Sequence, residues 1–112
     1  MLKLTNHKTI ASLPALLQPG QRAIVLKFTA AWCAPCRTMA PIVAAAEARH
    51  PEAAFAEVDI DANPELATAL HVTYIPQVIV VDRAGKVAGP EIGVKTAAMF
   101  EALLSERLAR CA

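Results

Sequence analysis

Hydrophobic positions crowd into two runs, Ala23-Ile24-Val25-Leu26-Lys27-Phe28-Thr29 and Ala53 through Asp59. Both are apolar at nearly every position, the mark of strands covered on both faces in the middle of a sheet. Between them, the Ala-rich stretch from Pro35 to His50 reads as a helix, with Pro41 in its interior and Pro51 closing it. A proline there removes a backbone bond and predicts a bend near Arg37 or Thr38. Leu2-Lys3-Leu4 is short enough for an edge strand. Ile10, Leu13, Leu16 and Leu17 form one helical stripe that Thr5 or Asn6 would cap, ended by Pro19-Gly20.

The second half continues the alternation of strand and helix. Asn63-Pro64 opens a short helix, with Asn63 as cap and Leu66 and Leu70 facing inward. Pro76 stands at the mouth of a strand, Gln77 through Val81, where a missing N–H is tolerated. Asp82-Arg83-Ala84-Gly85 predicts a hairpin turn with Lys86 through Glu91 as the return strand, broken at Gly93. Thr96 caps a last helix whose inner face is Phe100, Leu103, Leu104 and Leu108. The order β-α-β-α-β-α-β-β-α predicts an α/β fold, a mixed five-stranded sheet flanked by four helices, in one domain over residues 1–112.

Composition narrows the function classes. The chain is 55% hydrophobic with a net charge of +1, its acids and bases interspersed, so neither a nucleic-acid face nor a polybasic membrane anchor is expected. Three cysteines are too few for a secreted disulfide framework. The N-terminal residues lack an apolar signal-peptide core, and no run is long enough to span a bilayer, which predicts a cytoplasmic protein.

Chemistry concentrates at Trp32-Cys33-Ala34-Pro35-Cys36-Arg37, between a strand and a helix. There the first thiol meets unpaired N–H groups and the positive end of the helix dipole, which favour a thiolate. The second thiol, one turn on, can close a small disulfide ring, and Pro35 sits where its missing N–H costs little. The pair reads as a nucleophile, Cys33, and a resolving thiol, Cys36. A zinc site needs two more ligands at close spacing, whereas His7, His50, His71 and Cys111 are scattered singly, so no metal is expected. The histidines read as solvated residues at helix ends, and Cys111 as an inert thiol on a frayed tail.

These features together resemble the thioredoxin family over essentially the whole chain. The matching residues are Trp32-Cys33-x-Pro35-Cys36 after a strand, Pro41 in the helix, Asp59-Ile60-Asp61-x-Asn63-Pro64, Ile75-Pro76 before a strand, the Gly85 hairpin and Gly93 before the last helix. The resemblance implies the thioredoxin fold, a cis peptide at Pro76 against the redox pair, and Trp32 as its shield. It implies a substrate groove of Trp32, Ala34, Pro35, Ile75, Pro76, Gly93 and Val94, with an extended target pairing to the backbone of Ile75. It further implies a monomeric reductant of protein disulfides in electron transport and cell redox homeostasis. No bound cofactor is expected, and the electrons come from a thioredoxin-reductase-like flavoenzyme.

Some positions depart from the family. Lys27 stands where a buried Asp is usual, and Glu57 where a partnering Lys is common, which predicts an ion pair with its ends exchanged. In that arrangement Glu57 accepts the Cys36 proton and Lys27 favours the thiolate. Tyr74 replaces a common Gly and Gln77 a common Thr, both beside the groove. Two other functions stay open: a thiol oxidase or disulfide isomerase, and a binding module that keeps the fold for docking alone.

Overall fold

A computed structural model describes residues 1–112. Its strands are β1 (Leu2–Leu4), β2 (Ala23–Thr29), β3 (Ala53–Asp59) and β4 (Gln77–Asp82), and its helices α1 (Ala34–Arg49), α2 (Pro64–Ala69) and α3 (Ala97–Ala109). The sheet runs β1-β3-β2-β4, with β1 and β2 parallel to β3 and β4 antiparallel to β2. The two apolar runs are thus the central strands, and alternation divides their side chains between two layers.

On one face Ala23, Val25, Ala53, Phe55, Val78 and Val80 pack against Met39, Val43 and Ala46 of α1 and Phe100, Leu104 and Leu108 of α3. On the other, Ile24, Leu26, Phe28, Ala56 and Val58 meet Leu13 and the α2 residues Leu66 and Ala67, with Leu70 alongside. α1 runs unbroken through Pro41 as one helix. Thr96 caps α3 as expected, its hydroxyl accepting the Met99 N–H at 3.3 Å.

The five-stranded sheet expected from the sequence has four strands. The return segment after the Gly85 turn touches β4 only through isolated bridges, Val81 to Val87 and Val78 to Ile92. The reason lies between them. Gly89 has φ +79°, and Pro90 has no N–H to offer a ladder, so the chain bows away and rejoins at Ile92.

The first helical stripe takes the form of two 3-10 turns, Ile10–Ser12 and Pro14–Leu16. Pro14 cannot donate to the Ile10 carbonyl, which breaks an α-helix there. Neither Thr5 nor Asn6 caps it; Asn6 is in a left-handed conformation at φ +59°, and Thr9 precedes the first turn. Asn63 does precede α2, but its side chain makes no cap. It is buried and holds the sheet edge instead, donating to the Leu4 carbonyl at 2.8 Å and the Asp59 carbonyl at 3.0 Å.

Candidate functional site

The buried row of α1, Cys36, Met39, Val43 and Ala46, follows helical spacing and seats the helix on the sheet. Cys36 is the first member of that row, so the packing that fixes the helix also buries this sulfur. Cys33 precedes it as the N-cap, in extended conformation, its N–H bonded to the Ala30 carbonyl at 3.1 Å. The two cysteines form a disulfide with Cα atoms 5.4 Å apart. The Cys33 sulfur accepts the Cys36 N–H at 3.3 Å, one of the free donors of the helix start. The same donor is in place for a thiolate.

Around the pair, Ala30, Ile60 and Ile75 supply an apolar setting. The Ile75–Pro76 peptide is cis and Pro76 is buried. Ala34 and Pro35 are exposed at the helix tip, Gly93 is half-buried and Val94 exposed. Trp32 is 67% exposed, its indole N–H donating to Asp61 at 3.1 Å. Trp32, Ile60, Val72, Thr73, Tyr74 and Ile75 line an open depression of about 370 Å³ beside the disulfide. Of the residues expected to form a groove, Trp32 and Ile75 line this depression.

Lys27 and Glu57 face each other across β2 and β3, with Nζ 3.6 Å from Oε1. Alternation puts both on the sheet face that α1 and α3 cover, in line with Val25 and Phe55. The lysine side chain is 5% exposed and the glutamate 32%, so the pair is embedded at its basic end and open at its acidic end.

Other contacts were not foreseen. Asp61 anchors the Trp32 indole, and the buried Gln77 donates to the Tyr74 carbonyl at 2.9 Å, fixing the loop before the cis bond. The Tyr74 hydroxyl donates to Glu91 at 3.0 Å. Desolvation, the hydrogen bond to Glu91 and that carboxylate's charge hold the Tyr74 phenol above its ordinary pKa. The sequence signal for Gln77 and Tyr74 was their departure from the family pattern; nothing local marked Glu91.

Two expectations away from the site are corrected. His50 is not solvated: its side chain is 12% exposed, with Nε2 2.6 Å from Glu101 and Nδ1 3.1 Å from Glu52. Cys111 is not frayed; it is buried in the layer beneath α3, its sulfur donating to the Arg107 carbonyl at 3.6 Å. Burial first, then the Asp82 charge, pushes its thiol pKa up, against a smaller opposing effect of Arg22.

Comparison with known proteins agrees with this geometry. The family model described as Thioredoxin matches residues 5–106. The thioredoxin of Alicyclobacillus acidocaldarius is 33% identical over 90 residues, 80% of this chain and 85% of that protein. Thioredoxin domain-containing protein 8 of Mus musculus is 39% identical over 57 residues, 51% of this chain; the match spans only 45% of that relative's length. The X-ray structure of Fasciola hepatica thioredoxin superposes with a TM-score of 0.77 at 32% identity, covering 96% of this chain and 99% of that one.

Proposed function

Because this chain belongs to the thioredoxin family, we propose that it is a protein-disulfide reductase working by dithiol–disulfide exchange. The observation that carries this reading is the Cys33–Cys36 disulfide at the head of α1, with a helix N–H on the Cys33 sulfur. In the reduced protein the Cys33 thiolate attacks a target disulfide. A bond forms from Cys33 to one target sulfur, and the other leaves as a thiolate that takes up a proton. Cys36 then loses its proton and attacks the Cys33 sulfur, closing the internal disulfide and releasing the second target thiol. Two electrons have passed to the target, and the state described above is the oxidised product. A thioredoxin-reductase-like flavoenzyme returns the electrons.

Glu57 is the acceptor for the Cys36 proton, acting through a water, and Lys27 holds that carboxylate in place. The supporting observation is that the pair lies on the sheet face beneath α1, with the carboxylate as its open end. Extended targets lie across Trp32, Ala34, Pro35, Ile75, Pro76, Gly93 and Val94. A monomer in the cytoplasm suits a reductant, since that compartment keeps thiols reduced.

The test is reduction of insulin disulfides with a supplied reductant. Cys33→Ser abolishes turnover, whereas Cys36→Ser accumulates a mixed disulfide visible by mass spectrometry. An intact protein that leaves insulin oxidised removes the reading in favour of a docking module. The reduction potential of the couple separates a reductant from an oxidase or isomerase. Glu57→Gln slows the resolving step by roughly the 10²-fold typical of a lost general base; an unchanged rate excludes Glu57 as the acceptor.

A further inference from the structure

Tyr74 lines the depression beside the disulfide, and three contacts fix it there. Gln77 holds its carbonyl, Glu91 takes its hydroxyl, and its ring lies over Gly93. A Cβ added at Gly93 would meet the ring carbon Cε2 at 3.7 Å, ordinary contact distance. The ring is nevertheless 47% exposed and shares the depression beside the disulfide with Trp32.

The lining has a repeated chemistry. Trp32 donates its N–H to Asp61, and Tyr74 donates its O–H to Glu91. Each aromatic wall thus ends in an exposed carboxylate with acceptor capacity left over. Between the two lie Ile60, Val72 and Ile75, and no cation lines the depression. Arg37 donates to the Ala31 carbonyl at 3.2 Å and Lys95 to the Val94 carbonyl at 3.3 Å, and His71 shares a separate depression with Glu91.

An apolar floor, two aromatic faces and two acidic ends suit one side-chain class above others. A lysine or arginine lays its methylene stem on the apolar residues while its cation meets ring faces and carboxylates. A leucine uses only the floor, and a glutamate is repelled. We propose that Tyr74 is a specificity-determining residue, and that with Trp32, Asp61 and Glu91 it selects target disulfides flanked by a basic residue. The inference rests on the reductase reading, because it assigns a preference within that reaction.

The experiment compares kcat/KM for peptide disulfides that differ only at the residue beside the reactive cysteine: Lys, Leu or Glu. Exposed cation–π and ion-pair contacts of ordinary strength predict a Lys-over-Leu ratio of roughly fivefold, with Glu poorest. The ratio falls toward one as salt rises. It also falls toward one in the Asp61→Asn, Glu91→Gln double variant, which keeps the hydrogen-bonding shapes and removes the charges, and in Tyr74→Leu, which removes the ring. Equal rates for Lys and Leu peptides in the wild-type protein overturn the proposal, and so does a ratio that persists in the double variant. Failure to reduce any of the peptides, with insulin also left oxidised, overturns the reductase reading instead, so the two failures are distinguishable.

Discussion

Lys27 and Glu57 occupy facing positions on adjacent strands, yet they are not equivalent, because only the lysine is nearly sealed from solvent. Removing the acid strands a cation in the core; removing the base leaves a carboxylate that can reach water. Glu57→Gln is therefore expected to cost about 3 kcal/mol, in the range for breaking a buried pair. Lys27→Met, which fills the site with apolar volume, stays within about 1 kcal/mol of the parent. Urea unfolding of the two variants checks the order, and equal losses would show that burial does not distinguish the partners. Gly89 is a second sharp position. Its φ is +79°, and an added Cβ would sit 2.8 Å from the Arg110 guanidinium and 2.9 Å from Arg107 Cδ. Gly89→Ala is expected to destabilise by about 1–3 kcal/mol through backbone strain and displacement of those arginines, read as a lowered Tm. These single positions also show what local sequence can carry. The exchange of Lys27 and Glu57 was legible because both positions depart from the family pattern with opposite and complementary charge. Tyr74 and Gln77 were visible as departures, but the tether of the Tyr74 hydroxyl was not, since Glu91 lies on a separate segment.

At the scale of elements, α1 and α3 are joined at the far end from the disulfide by His50, whose two ring nitrogens meet Glu52 and Glu101. Burial alone would lower its pKa, but the hydrogen bonds and charges of the two carboxylates outweigh that and raise it above the ordinary 6.5. A raised native pKa means the folded protein holds this proton more tightly than the unfolded chain. The associated stability is fully present below about pH 6.5, the unfolded value, and is lost as pH rises through the folded value. His50→Gln is accordingly expected to destabilise more at pH 5.5 than at pH 9; a gap that is constant with pH would show that the ring serves only as packing. A helix-end histidine was read as solvated because Glu101, its closest partner, lies half the chain away. Element boundaries went astray for a related reason. Pro14 and Pro90 sit inside segments whose apolar pattern is otherwise sound, and each removes a donor that the pattern takes for granted. Where propensity and periodicity agreed, as in β2, β3 and α3, the elements formed as expected.

For the whole molecule, one sheet backs both apolar layers, so neither layer can loosen without exposing the central strands. Phe28 and Phe100 are fully buried on opposite faces. Phe100→Ala and Phe28→Ala are each expected to cost about 3–5 kcal/mol, a large part of the stability of a domain this size. In both variants Trp32 fluorescence, which reports the redox end, and far-UV circular dichroism should give one coincident transition. Separate midpoints would show that one layer melts alone.

The location of the third cysteine sets what a chemist would count. Under native, fully reduced conditions a thiol reagent goes first to Cys33, whose thiolate the helix start favours, because Cys111 is shut into the core layer and reluctant to ionise. Denaturant releases the equivalents of the buried Cys36 and Cys111. Native alkylation can therefore mark the attacking thiol without the tail cysteine first being replaced.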